Sequence, residues 1–272
     1  MIGLVLGDTH IGKIIIKKLK KIKKRFIIID ISKQKIFCKE SNSFALSIGQ
    51  LGKCISLLNK YKCKQVLFAG RVVKPNFKKI KFDLKALYHL PKIMRETKKG
   101  DAYIINFITK LFQKEGFQVI SQIKYNPEIV LNKGCHTKLC PTNDYKKSIL
   151  EGRKIINNLS LTGTAQGVVV VNDKVIISEN FKGTDAMLKK AKRKMQKIKF
   201  SNKNKRIGLL IKLPKPNQDL RTDLPTVGLS TLKLCSKIGL KGIVVKSKNN
   251  IFLDKEKCIN LANKEKMFIF AI

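Results

Sequence analysis

Tryptophan is absent, and only 7% of the 272 residues are aromatic. Platforms for stacking nucleic-acid bases are therefore scarce. Three histidines, His10, His89 and His136, are too few for a multi-histidine two-metal centre. No Gly-x-Ser-x-Gly elbow occurs, which argues against a serine-type triad. No apolar run approaches the ~20 residues that span a bilayer. The opening residues Met1 to Asp8 put no basic region ahead of their short apolar stretch, unlike a signal peptide, so a cytoplasmic location is expected. The seven cysteines are odd in number and contain no C-x-x-C pair, so they do not read as a disulfide framework. Buried or idle thiols are the expectation, and Cys135, His136 and Cys140 lack a second ligand pair for zinc.

Acid is the other scarcity: 18 Asp and Glu against 58 Lys and Arg give a formal net charge of +40. Such an excess suits a phosphate-rich partner. The lysines are spread along the whole chain rather than gathered in one tail or helix, which disfavours a specific nucleic-acid partner. Two readings remain: compositional drift of lysine onto solvated positions, and attraction to an anionic membrane or substrate.

The first half alternates strand-like and helix-like segments. Apolar runs at Ile2–Leu6, Phe26–Ile31, Gln65–Ala69 and Phe117–Ser121 read as strands, with a short strand at Phe44–Ile48. Amphipathic stretches at Lys13–Lys24, Gly49–Tyr61, Leu84–Thr97 and Asp101–Lys114 read as helices. The alternation predicts a parallel sheet with helices on both faces. Turn signals between Lys124 and Tyr145 place a domain boundary near 133, giving domains 1–133 and 134–272. The second half predicts a helix over Tyr145–Asn158 and a hairpin of Val168–Val171 with Val175–Ser178 turned at Asn172-Asp173. A helix opened by Thr184 and Asp185, a strand from Ile207 to Leu213, a helix from Thr226 to Ile238, and strands at Gly242–Val245 and Met267–Ala271 follow.

Two N-terminal patterns imitate known sites. Gly7-Asp8-Thr9-His10-Ile11-Gly12-Lys13-Ile14 approaches a phosphate loop, but Ile14 stands where a Ser or Thr must hold magnesium. Asp8 and His10 imitate a two-metal phosphoesterase without its further ligands. The chemistry should instead fall to carboxylates, lysines, arginines and a metal. Four segments at strand ends supply these groups: Gly70 to Pro75 with Arg71 and Lys74, Gly163 to Val170 with Gln166, Glu179 to Leu188 with Thr184 and Asp185, and the proline-bracketed loop Pro214 to Gly228. Each has a plain alternative: Thr184 and Asp185 as helix caps, Arg71 and Lys74 as solvated charges, Asp223 as a turn residue.

Phe68-Ala69-Gly70-Arg71-Val72, Gly100-Asp101, Glu115-Gly116-Phe117, Gln166-Gly167-Val168-Val169-Val170, Lys182-Gly183-Thr184-Asp185-Ala186-Met187-Leu188 and the run Lys215 to Gly228 occur in this order along nearly the whole chain. This set resembles the LpxI family, the UDP-2,3-diacylglucosamine pyrophosphatases of lipid A synthesis. The chain departs from the family pattern at Gly7-Asp8-Thr9-His10, at Thr162-Gly163-Thr164-Ala165 and at Ala102. The resemblance implies an α/β fold with a Rossmann-like N-terminal domain, a distinct C-terminal α/β domain and a substrate site between them. It implies magnesium-dependent hydrolysis of UDP-2,3-diacylglucosamine to UMP and 2,3-diacylglucosamine 1-phosphate.

Within that frame Asp219 and Asp223 are the expected Mg2+ ligands and water activators, and Arg221 the expected phosphate clamp. Arg71 and Lys74 are expected to close over the phosphate, and Gln166 to meet the sugar or uracil. Thr184 and Asp185 are expected to orient water or a sugar hydroxyl, and Gln218, Lys215 and Thr226 to complete the substrate contacts. An apolar acyl cleft is expected near Met187, Leu188 and Leu224. The basic surface is expected to dwell peripherally on the anionic inner leaflet, and the sequence leaves a homodimer open. The reading from another class is a non-catalytic nucleotide-sugar or nucleic-acid binding protein.

Overall fold

A computed structural model describes residues 1–72, 80–161, 165–180, 182–197, 206–216 and 218–272. The chain divides into two compact units. The first comprises Met1–Pro127 with Asp219–Asp223, and the second Glu128–Gln218 with Leu224–Ile272. Turn residues in the sequence suggested a single cut at 133. The contact pattern cuts at Pro127/Glu128 and returns a five-residue segment of the polar loop to the first unit.

The first unit is built on five parallel strands, β1 (Ile2–Leu6), β2 (Phe26–Asp30), β3 (Ser43–Ala45), β4 (Gln65–Ala69) and β5 (Gln118–Val119), in spatial order β3-β2-β1-β4-β5. That is the strand order of a Rossmann-like half. Strands β1 and β2 are apolar almost end to end because helices cover both faces of a parallel sheet. Helices α1 (Ile11–Lys21), α2 (Leu51–Lys60), α3 (Leu84–Lys99) and α4 (Asp101–Lys114) make the crossovers. Leu51, Cys54, Ile55 and Leu58 of α2 repeat at helical spacing and pack with Ile27, Ile29 and Val66 of the sheet.

The second unit carries a six-stranded mixed sheet. Its strands are β6 (Gly134–Cys135), β7 (Gly167–Val171), β8 (Lys174–Ser178), β9 (Leu209–Lys212), β11 (Gly242–Val245) and β13 (Phe268–Ala271), in order β6-β13-β11-β9-β7-β8. The three strands β13, β11 and β9 are parallel, and the hairpin β7–β8 adds antiparallel to β9. Asn172 and Asp173 turn that hairpin with φ of 47° and 60°, a left-handed pair suited to Asn and Asp. Helices α5 (Tyr145–Leu161), α6 (Thr184–Gln196), α7 (Leu229–Lys237) and α8 (Lys255–Lys264) flank the sheet. A small parallel pair, β10 (Thr226–Val227) with β12 (Ile251–Phe252), sits beside it.

Two expectations need correction. The helix placed from Thr226 begins at Leu229, because β-branched Thr226 and Val227 pair with β12, Leu253 N–H donating to Val227 O at 2.8 Å. The cysteines are not all idle thiols, since Cys135 and Cys140 form a disulfide across the intervening turn, their Cα atoms 5.7 Å apart. The other five are free, and Cys54, Cys63, Cys235 and Cys258 are buried. Burial, with Asp83 adding to it, pushes the Cys54 thiol up to about 12. Burial, with Asp254 adding to it, does the same to Cys258. Neither thiol is a nucleophile near neutral pH.

Candidate active site

In the first unit, ligand chemistry is expected where the strand order reverses, between β1 and β4. There the chain leaving β1 crosses the chain leaving β4 at van der Waals distance. Gly7 N–H donates to Ala69 O at 2.9 Å, and Asp8 N–H to Arg71 O at 2.7 Å. A Cβ on Gly7 would lie 2.5 Å from Arg71 O, and Gly70 turns at φ +91°, so both glycines are needed for the crossing. Arg71 thus emerges, exposed, beside the first loop. Lys74 lies outside the described residues.

Two acids of this unit, Asp8 and Asp30, are engaged in structural bonds. The Asp8 carboxylate accepts from Lys33 N–H at 2.7 Å and ties down the loop after β2, while His10 is exposed ahead of α1. Asp30, at the end of β2 where dinucleotide-binding folds often carry a ribose-binding acid, is buried. Its carboxylate accepts from Ser32 N–H, Ser32 Oγ and Phe37 N–H at 2.6–2.9 Å.

The segment Asp219–Asp223 clusters with the first unit and is held there by Gln122. Gln122 N–H donates to Arg221 O at 3.0 Å, and its side-chain amide donates to Thr222 O. Within the segment, Asp219 O accepts from Thr222 N–H and Asp223 N–H, forming one tight turn. The Asp219 carboxylate is committed to Arg221, accepting from its N–H and Nε at 3.0 Å and its Nη2 at 2.7 Å. Burial alone would push the Asp219 carboxyl up. The side-chain and backbone bonds from Arg221, with its charge, outweigh burial and hold the group below the ordinary carboxylate value. The sequence suggested two equivalent aspartates and a separate arginine. The turn instead presents an Asp219–Arg221 pair with a half-buried Asp223 alongside.

This pairing gives a pH prediction. A carboxyl whose folded value is depressed stabilises the fold above its unfolded value, here ordinarily 3.8, and that contribution disappears as pH falls through the lower folded value. The acid limb of the unfolding curve should therefore be shallower in Asp219→Asn, read as melting temperature against pH below that value. Superimposable acid limbs would count against the pair.

In the second unit the focus is the end of β9. Lys212 is buried, and its Nζ donates to Thr184 Oγ1 and lies 3.8 Å from Glu179 Oε1. Thr184 Oγ1 in turn donates to Glu179 Oε1 at 2.7 Å. Gly167 sits between these partners. It is in register with Lys212, and its carbonyl accepts from Glu179 N–H at 2.7 Å. A Cβ there would come 3.0 Å from Glu179 Oε2, so the glycine leaves room for the carboxylate. Glu179 Oε2 is buried with no hydrogen-bond partner among the described residues. Thr184 is therefore not a cap: the N-cap of α6 is Gly183, and no side chain among the described residues caps the helix, so its first N–H groups suit an anion. Asp185 is exposed in the first turn of that helix.

The other expected contacts fall on the loop itself or in the core. Gln166 is half-buried, and its carbonyl accepts from Leu213 N–H at 2.9 Å. Gln218 is buried and accepts from Lys215 N–H at 2.9 Å, stapling the loop before its crossing. Thr226 Oγ1 donates to Leu224 O at 3.2 Å. An acyl cleft was expected near Met187, Leu188 and Leu224. All three are buried, and Met187 and Leu188 pack in the core with Leu210, Val227 and Ile243. Sequence reading singled out neither Lys212 nor Gln122, and Glu179 only headed the segment quoted for Thr184 and Asp185. A lysine interrupting the apolar run Leu209 to Leu213 was the one available signal.

The model of the LpxI N-terminal domain matches residues 1–129, and that of the LpxI C-terminal domain matches residues 132–270. The chain belongs to the LpxI family. A protein of Caulobacter vibrioides named UDP-2,3-diacylglucosamine pyrophosphatase LpxI is 30% identical over 227 residues, covering 84% of this chain and 81% of that protein. The two LpxI domain matches meet within a few residues of the division between the units. The polar turn at 219–223 nevertheless lies inside the C-terminal domain match while it clusters with the N-terminal unit.

Proposed function

We propose that this LpxI-family chain hydrolyses the pyrophosphate bond of UDP-2,3-diacylglucosamine, releasing UMP and 2,3-diacylglucosamine 1-phosphate. The observation that carries the proposal is the relative of that name, matched over most of both chains. The chemistry of the two clusters agrees with it. A pyrophosphate brings anionic oxygens, and the second unit offers a buried ammonium, Lys212, beside an uncapped helix start. The turn 219–223 offers a carboxylate and a guanidinium on one short backbone segment.

Magnesium fits this donor set in one form. No three His, Cys, Asp or Glu side chains gather among the described residues, so a cage made only of protein is not formed. Mg2+ needs just one or two carboxylates when substrate phosphates and water fill the remaining positions. Asp223 would hold it, with Asp219 next in reach along the turn, and the ion would neutralise charge building on the phosphate oxygens. The chain's own groups do the rest. Water adds to one phosphorus, forming a new P–O bond as the bridging P–O bond breaks, and Asp223 accepts the water's proton. Arg221, oriented by Asp219, and Arg71 bind phosphate oxygens. Thr184, Asp185, Gln166, Lys215, Gln218 and Thr226 orient the sugar and nucleotide, with Lys74 as a further phosphate contact.

No helix among the described residues is long and apolar enough to cross a membrane. The net charge of +40 supports a cytoplasmic enzyme working peripherally on an anionic leaflet. Incubation of the purified protein with UDP-2,3-diacylglucosamine and magnesium should release UMP, and a chelator should stop it. Absence of UMP with the metal present would end the proposal, and undiminished release with chelator would end the role of the ion.

A further inference from the structure

Eight large apolar side chains are exposed among the described residues, and half of them lie on one helix. Leu84 is 86% exposed, Leu87 54%, Tyr88 81% and Met94 45%, all on α3. With exposed Pro91 they fall at i, i+3, i+4, i+7 and i+10, on the one side that α3 turns to solvent. The opposite side is used for packing: Ala86 is buried, and the His89 ring meets Phe107 of α4 at 6.0 Å. The apolar stripe occupies the first turns. Exposed Arg95 and Lys98 follow on the same side, while Lys92 and Lys99 lean toward α4, over the Phe107 ring at 5.2 Å and the Tyr103 ring at 5.8 Å. The single carboxylate of the helix, Glu96, is already covered by Arg95 at 3.5 Å and Lys99 at 3.1 Å. Asp83 caps the helix through Ala86 N–H and also accepts from Lys53 N–H, which fixes the stripe to the unit.

We propose that the exposed face of α3 is a docking surface for an anionic lipid bilayer. The inference rests on the reading above, since a diacylated substrate resides in a membrane. Leu84, Leu87, Tyr88 and Met94 would enter the boundary between headgroups and acyl chains, with the Tyr88 hydroxyl at headgroup level. Arg95 and Lys98 would meet lipid phosphates. Charge selects this occupant over a second copy. An anionic bilayer offers phosphates to Arg95 and Lys98, whereas a second copy of this chain, with 18 acidic residues against 58 basic ones, brings mostly like charge.

The test is partition of the whole protein onto phosphatidylcholine vesicles with and without phosphatidylglycerol, for the unmodified protein, the double variant Leu84→Ser/Tyr88→Ser and the charge variant Arg95→Glu/Lys98→Glu. Leu150→Ser, at a 62% exposed position on α5, is the control. The apolar variant should lose about tenfold or more in partition, and Leu150→Ser should lose nothing measurable. The charge variant should lose affinity only where phosphatidylglycerol is present. Equal partition of the apolar variant and the unmodified protein, or no partition of the unmodified protein, would overturn the proposal. So would a change of oligomeric state in the apolar variant without loss of partition, which would make the face a contact between copies. Hydrolysis of substrate dispersed in detergent should be unchanged in the apolar variant. Failure of the unmodified protein to release UMP there bears on the assigned reaction, while the vesicle partition alone decides the role of α3.

Discussion

Replacing Asp223 with alanine should lower the rate of UMP release about 100-fold or more while leaving the fold intact. The side chain is half-buried in a turn whose shape is fixed by backbone bonds, Asp219 O accepting from Thr222 and Asp223 N–H, and by Gln122 reaching Arg221 and Thr222. Those bonds run through backbone groups of the turn and the Gln122 side chain, so the turn should survive the substitution. Asp223→Asn should be nearly as slow, because an amide neither accepts the water's proton nor holds a divalent cation well. Asp219→Ala should act differently. It releases the Arg221 guanidinium from both carboxylate oxygens, so its defect should include weaker substrate binding as well as slower turnover. Initial rates across a substrate series, with thermal melting as the check on folding, separate these outcomes. A near-normal rate for Asp223→Ala would remove the turn from the chemistry.

The largest expected loss of stability follows from Lys212→Met. Methionine keeps much of the side-chain length and apolar packing but deletes the ammonium. Among the described residues that leaves the Glu179 carboxylate, which has no partner on Oε2, buried with Thr184 alone. Breaking one side of a buried ion pair costs about 3–5 kcal/mol, far more than an exposed pair contributes. Chemical denaturation should show a drop of that order. The double variant Lys212→Met/Glu179→Gln should recover part of it, since the uncompensated charge is gone. A loss for Lys212→Met below about 1 kcal/mol, with no recovery in the double variant, would mean that the pair is not maintained in solution.

Strands β1, β2, β4, β9 and β11 were legible in the sequence because burial on both faces turns each into a run of Val, Ile, Leu and Phe. Helices α2 and α4 were legible through repeating apolar positions. Elements with weak local signals were missed. Strand β12 is two residues long, and α8 buries just Cys258 and Ala262 in a segment rich in Lys and Asn. The apolar face of α3 was hidden in another way. Its spacing fits a helix, yet periodicity does not reveal that Leu84, Leu87, Tyr88 and Met94 face outward.

The site was legible as a list of groups and not as a set of partners. Proline brackets and strand ends marked Asp219, Arg221, Asp223 and Thr184, and the ordered motifs marked the family. Nothing local indicated that Thr184 would hold a lysine 28 residues away, or that Gln122 would grip a carbonyl 100 residues on. Local pattern determined the strands, most helices and the residue types gathered at their ends, because backbone propensity and apolar spacing act over a few residues. The tertiary fold decided which charges lost their water and which partner each then required. Desolvation is set by whatever the whole sheet brings alongside, and Lys212 meets Glu179 only once β7, β8 and β9 have paired.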